Sequence, residues 1–407
     1  MKKRLTLLLC VLAIVSCAKE PETIIEYQTV EKIVETPGET VTVVETVETV
    51  LPPDAYSFTR GGVSTVYYSG QTARVKMASE IYSALKTETY TQTQIDAMFS
   101  LGTGFTDTTL DTSGKTVRSK TASYGGSATV KSLFDGWITE ATSVVFPVWN
   151  TNGSKGVAGQ VTDPGTGGRS VRVNAKGMEI NQIFTKGLIG AMALDQIVNG
   201  YLDKTEKLDA AQAGNDAGDF AYTSPGATEA NVTKMEHYWD EGFGYLYGQD
   251  NQAFPALGKG VLLNKYLKKV ESNEPGISKN IYDAFALGRA AIVAKNYTLR
   301  DEQAAIIKSE LSKVIGYKAA FYLRGGGKNI TEGKMADAFH ALSEGYGFIL
   351  SLQFTKDANG AAYFTNAEVN AFLERLSAGD GFWDRTEDEL KAMATEIDAK
   401  TGLPATN

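Results

Sequence analysis

The apolar positions of this chain change their spacing as it proceeds, and the change divides it into three stretches. Residues 5–15 form one short unbroken apolar run (Leu5 to Val15). Residues 18–53 alternate Glu, Thr and Val, as in Val41-Thr-Val-Val-Glu45 and Thr46-Val-Glu48-Thr49-Val50, with no helical period. From about Asp54 onward apolar residues recur mainly at helical spacing. Tyr56–Arg60 and Val63–Tyr68 are β-prone runs flanking Gly61-Gly62, which predicts a hairpin. Helices are expected at 73–85, 91–99 and 131–142, then a Gly/Thr/Ser-rich loop or small ribbon over 150–174. Long helices follow at 178–202, 231–248, 260–270, 278–296, 301–323 and 331–353. The tail adds 366–376 and 386–399, the last opened by a Thr386-x-x-Glu389 capping box.

These elements predict a mainly α fold, a helical array with an internal pseudo-two-fold repeat and a small N-terminal β-hairpin. The repeat halves are expected at about 176–250 and 300–355. Each has a long helix ending in Tyr201-Leu202 or Tyr322-Leu323, then a loop, then a helix bearing one motif. The first motif is His237-Tyr-Trp-Asp-Glu241-Gly242-Phe243-Gly244-Tyr245, and the second is His340-Ala-Leu-Ser-Glu344-Gly345-Tyr346-Gly347-Phe348. The chain has only 2 histidines, and both occupy the same frame. Internal duplication accounts for this.

The first stretch has the form of a secretion signal. Lys2-Lys3-Arg4 precedes the apolar core, which is too short to span a bilayer, and Ile14-Val15-Ser16-Cys17 has the lipobox pattern. Residues 1–16 are expected to be removed and Cys17 lipidated, with 17–53 as an acidic tether and 54–407 as the helical domain. Several acyl chains anchor stably where one would not. Cys10 leaves with the signal, so the mature chain has no free thiol for a disulfide, a thiolate metal site or a nucleophile. Losing three basic residues and no acid takes the formal charge from −8 to −11. An acidic chain with no basic cluster excludes nucleic acid as a partner class.

On a helix, residues i and i+4 share a face. His237 and Glu241 therefore point together, as do His340 and Glu344. If the motif helices pack on each other, two imidazoles and two carboxylates converge. Such a set suits a divalent metal or iron with N and O ligands. Asp240 and Asp195 are candidates for supporting positions around the ligands. The paired glycines would let another helix approach closely. The same His-Glu pairs can equally be buried hydrogen bonds within a core. No P-loop, calcium loop or Gly-x-Ser-x-Gly elbow is present.

Several segments together resemble the domain of unknown function 4856 family. They are Tyr56-Ser-Phe-Thr-Arg60 with Val63-Ser-Thr-Val and Tyr68-Ser-Gly-Gln71, Lys186-Gly-Leu-Ile-Gly-Ala191 with Asp195-Gln196, Gly288-Arg-Ala-Ala291, and the two motifs. The likeness covers about residues 54–400. It implies an envelope lipoprotein of Bacteroidota, facing the periplasm or the cell surface from the outer membrane. Genes for imelysin-like proteins and TonB-dependent receptors often neighbour those of this family, which implies a setting in iron or haem uptake, with such a receptor or imelysin-like protein as partner. The imelysin signature Gly-x-His-x-x-Glu is only approached: Met235 and Ala338 stand in place of the glycine, and the glutamate comes one residue later. The expected function is therefore binding of a metal or metal complex. A hydrolase using Glu241 or Glu344 as general base, or a structural or receptor-partner lipoprotein, are the alternatives.

Overall fold

The computed structural model describes residues 24–36, 39–250 and 253–402. Cys17 and the signal segment lie outside them. The fold is mainly α, as the periodicity predicts, and its strands pair only as four two-stranded ribbons among the described residues.

The stretch expected to be an extended tether doubles back on itself. Strand β1 (Ile24–Thr36) pairs antiparallel with β2 (Glu39–Leu51), Ile24 opposite Leu51 and Thr36 opposite Glu39. Alternating Val and Thr supply the β propensity. Two strands alone are marginal. Here β2 also packs against the helix Ile277–Val293, and Val50 is buried. The predicted Gly-Gly hairpin follows as β3 (Thr59–Arg60) and β4 (Val63–Ser64). Gly61 and Gly62 have φ of +62° and +80°, the pair of left-handed conformations that a two-residue turn needs. A third ribbon, β5 (Gly159–Thr162) with β6 (Ser170–Val173), occupies the expected loop region.

Two long helices organise the rest. The central helix begins as Ile180–Leu188 and runs directly into a wide-turn π segment, Ile189–Tyr201. It is buried on almost every side, which suits its nearly continuous apolar sequence. The second is Tyr297–Thr331, 35 residues and thus about 50 Å long. It packs against the helices Ile277–Val293, Met335–Ser351 and Glu387–Thr401. It continues past its expected end at Leu323, through Gly325-Gly-Gly. Gly326 lies against Leu342 and Gly327 against the Glu387 backbone, so close packing offsets the weak helix propensity of the glycines.

The two motif helices, Lys234–Tyr247 and Met335–Ser351, do not pack along one another. The first lies on the π segment of the central helix, and the second packs on Tyr297–Thr331 and on the segment Ile180–Leu188. The expected contact between motif helices is therefore replaced by a helix placed between them.

Candidate functional site

The sequence starts each motif helix differently. Thr233 and Glu236 form a capping box for the first: the Thr233 hydroxyl accepts from Glu236 N, and the Glu236 carboxylate accepts from Thr233 N at 2.8 Å. The second has no side-chain cap of its own. Asp163, at the end of the β5 strand, accepts from the amides of Ala336 and Asp337 at 2.6 and 2.9 Å. A carboxylate there also meets the positive end of the helix dipole.

At the first motif, His237 and Glu241 do share a face, with Nε2 and Oε2 3.7 Å apart. The imidazole lies between the rings of Tyr222 and Tyr67, with centroids at 4.1 and 5.0 Å. Burial lowers its pKa, partly offset by Glu241 and the Tyr67 backbone, so it is neutral at neutral pH. Glu241 Oε1 accepts from Gln71 Nε2 at 2.7 Å and from the Tyr201 hydroxyl at 3.0 Å. Lys120 Nζ donates to the same hydroxyl at 3.3 Å. Burial lowers the Lys120 pKa, and Arg74, Lys207 and Lys115 add to that while Glu241 opposes it. Four cationic side chains thus gather near one carboxylate.

The second motif follows the same plan with different partners. Glu344 Oε1 accepts from the Tyr266 hydroxyl at 2.8 Å and pairs with Lys186 Nζ at 3.2 Å. The Tyr322 hydroxyl hydrogen-bonds it as well. Burial by itself would raise the Glu344 pKa, but Lys186, His340, Tyr322 and Lys269 together pull it down to about 2. His340 shares the helix with Glu344, yet its Nδ1 is bonded to Glu179, 2.7 Å away on the neighbouring turn.

The two motifs share two features. Each motif glutamate takes a tyrosine hydroxyl from the preceding long helix, Tyr201 at the end of one and Tyr322 within the other. Each also takes a donor from a helix crossing the motif at its second glycine. A Cβ on Gly244 would meet Tyr68 and Gln71, and one on Gly347 would meet Lys186 at 2.5 Å. Gln71 and Lys186 are the matching donors. The central helix supplies Lys186 to one motif and Tyr201 to the other.

This geometry corrects the idea of one shared centre. His237, Glu241, His340 and Glu344 form two separate sites, and no group of three or more His, Cys, Asp or Glu able to hold a metal occurs among the described residues. Asp240 and Asp195 support neither pair. Asp240 sits in a buried network with other partners. It bonds Arg289 at 3.2 Å, the Tyr56 hydroxyl at 2.7 Å and Tyr67 N at 3.1 Å. Arg289 also pairs with Glu236 at 3.0 Å, which itself binds Arg60. Asp195 accepts from the amides of Ser123, Tyr124 and Gly125, fixing that turn on the central helix. Sequence reasoning missed Lys186, Gln71, Tyr266 and Glu179 as partners. Tyr201 and Tyr322 stand in the sequence only as the expected helix ends, which holds for Tyr201 and not for Tyr322.

The family model described as Domain of unknown function (DUF4856) matches residues 53–404, and the chain belongs to that family. No curated protein and no solved structure matches it. No helix among the described residues is long and apolar enough to cross a membrane.

Proposed function

We propose that this member of the family is a lipid-anchored envelope protein that binds a metal complex bearing anionic groups, and that the ligand docks at the first motif. The observation that carries this reading is the company His237 keeps. An imidazole whose pKa burial lowers lies against two tyrosine rings and beside Glu241, with Lys115 near it and Arg74, Lys207 and Lys115 gathered around Lys120. The imidazole can coordinate a metal, the rings suit a flat ligand, and the cations suit its carboxylates. A bare divalent ion would meet Arg74, Lys115, Lys120 and Lys207 with only one carboxylate in its favour, so the complex is preferred over the free ion. The second motif is less open to a metal. Glu344 is already paired with Lys186 and His340 with Glu179. The lipobox at Cys17 supports the anchor, and the gene neighbourhood typical of the family supports iron or haem as cargo, with a receptor or imelysin-like protein to exchange it.

The test is titration with haem, with ferric citrate, and with iron, zinc, copper and manganese chlorides. Haem or ferric citrate is expected to bind stoichiometrically and more weakly at high salt. His237→Ala should abolish binding, Lys120→Ala should weaken it, and His340→Ala should leave it intact. Binding of a bare metal lost equally in His237→Ala and His340→Ala would overturn this reading and restore a four-ligand centre. Failure of both complexes to bind would also end it.

A further inference from the structure

Four lysines gather at the second motif, from three helices that the fold brings there. Lys186 comes from the central helix. Lys265 and Lys269 come from the helix Leu263–Glu271, and Lys318 comes from Tyr297–Thr331. Lys186 pairs with Glu344, and Lys269 Nζ lies 3.3 Å from the Tyr322 hydroxyl. Lys265 is near enough to depress the pKa of both Lys186 and Lys269.

Lys318 has no counter-charge. The residue is 3% exposed. Its Nζ lies 3.7 Å from the centroid of Phe321 and 4.5 Å from that of Tyr322, and it has no hydrogen-bond partner among the described residues. Burial, reinforced by Lys269 and opposed by Glu344, brings its pKa to about 7. The other elements packed on this helix spend their charges elsewhere. Asp398 pairs with Arg324, Arg289 with Glu236 and Asp240, and Asp195 with backbone amides. Glu179 is held by His340.

The cluster therefore carries an uncompensated excess of positive charge within a chain of formal charge −8. Buried unpaired charge is costly, and a protein can relieve it by shedding a proton or by binding a counter-ion. We propose that the cluster of Lys186, Lys265, Lys269 and Lys318 is a binding site for a small oxyanion, a carboxylate or a phosphate. Lys269 is exposed, and Lys186 is buried with Glu344. Glu344 spaces the amines and orients both tyrosines, leaving Lys318 and Lys269 free to donate to the anion. An anion beside Lys318 favours the ammonium form, so binding takes up a proton when the pH is above about 7. Affinity then falls with rising pH. Metal binding through imidazole has the opposite sign, which separates this site from the first.

The experiment is calorimetric titration of the full protein with inorganic phosphate and, separately, with succinate, at pH 6, 7 and 8 in two buffers of different ionisation enthalpy. One of the two anions is expected to bind one-to-one, weakening by up to about tenfold from pH 7 to pH 8, with buffer-dependent heat that reports proton uptake. Whichever of phosphate and succinate binds identifies the anion class. Lys318→Met retains the apolar stem, and should weaken binding and remove the pH dependence. Lys269→Met, at an exposed position, should weaken binding without affecting the fold, so the test survives if the Lys318 variant does not fold. His237→Ala should bind the anion as wild type does, which keeps this result independent of the first motif. Absence of binding by either anion at pH 6 would overturn the proposal, as would binding unchanged in Lys269→Met.

Discussion

Replacing the glycines of the two motifs one at a time by alanine should split them into opposite classes. A Cβ on Gly347 would lie 2.5 Å from Lys186 Cβ, 2.7 Å from Gly187 N and 2.9 Å from Ile183 O. Two of those atoms are backbone of the central helix and cannot swing aside. Ordinary carbon contacts start near ~3.5 Å, so the two helices would have to separate by roughly 1 Å. Overpacking of this kind costs about 1–3 kcal/mol, and the separation also loosens the Lys186–Glu344 pair. Alanine's better helix propensity returns about 1 kcal/mol, leaving a net loss of up to about 2 kcal/mol. Gly242, in the first motif, faces Leu202 and Phe285 no closer than 3.6 Å, which is ordinary contact. Gly242→Ala should therefore be neutral or stabilising by up to about 1 kcal/mol. Gly244→Ala should resemble Gly347→Ala, because its Cβ would meet Tyr68 Cβ at 2.5 Å. Urea denaturation at constant slope gives the comparison directly. Equal stability of Gly242→Ala and Gly347→Ala would refute the claim that the second glycine of each motif exists for helix contact.

Three further outcomes are expected. Asp240→Ala leaves the buried Arg289 with Glu236 alone and removes the acceptor of Tyr56 and Tyr67, so it should cost about 3–5 kcal/mol in the same urea assay. Glu236 has its pKa held down to about 2, because Arg289 and Arg60 outweigh burial. Its contribution is full above the unfolded value near 4.5 and is lost as pH falls toward 2, while Asp240, raised to about 6 chiefly by burial, works the other way as pH rises through 4–6. Glu236→Gln should thus be less stable than wild type at pH 7 but lose less stability between pH 5 and pH 3, and parallel curves would contradict this. Cys17→Ala should move the protein out of the membrane fraction and abolish labelling with a palmitate analogue; retention without label would sink the lipid anchor.

The helical fold was legible because long amphipathic and apolar runs carry their own period, and capping boxes such as Thr233 with Glu236 mark their starts. The correspondence of the copies was legible in His237, Glu241, His340 and Glu344 and in the two Tyr-Leu helix ends. Their partners were not. Lys186 and Glu344 are distant in sequence, and nothing in a single chain tells which lysine a buried carboxylate will meet. The shared centre failed for a related reason. Spacing of i and i+4 fixes which side chains share a face, but not which neighbour that face turns toward, and here both faces turn to one intervening helix. Gln71 was hidden because it stands where the other copy has a lysine, and no residue likeness links the two.

The fold-back of β1 onto β2 sets how far the domain can stand from a bilayer. Strand β1 starts at Ile24, level with Leu51, where the domain begins. If Cys17 carries the lipid, only the seven residue steps between it and Ile24 contribute height, at most about 25 Å of chain. An unpaired chain over the same stretch could have reached beyond ~100 Å. The ribbon adds length without lift, so the helical domain stays close to the headgroups. Under the binding role proposed above, a protein that exchanged cargo with it would meet it at the membrane surface, as another membrane-bound protein can.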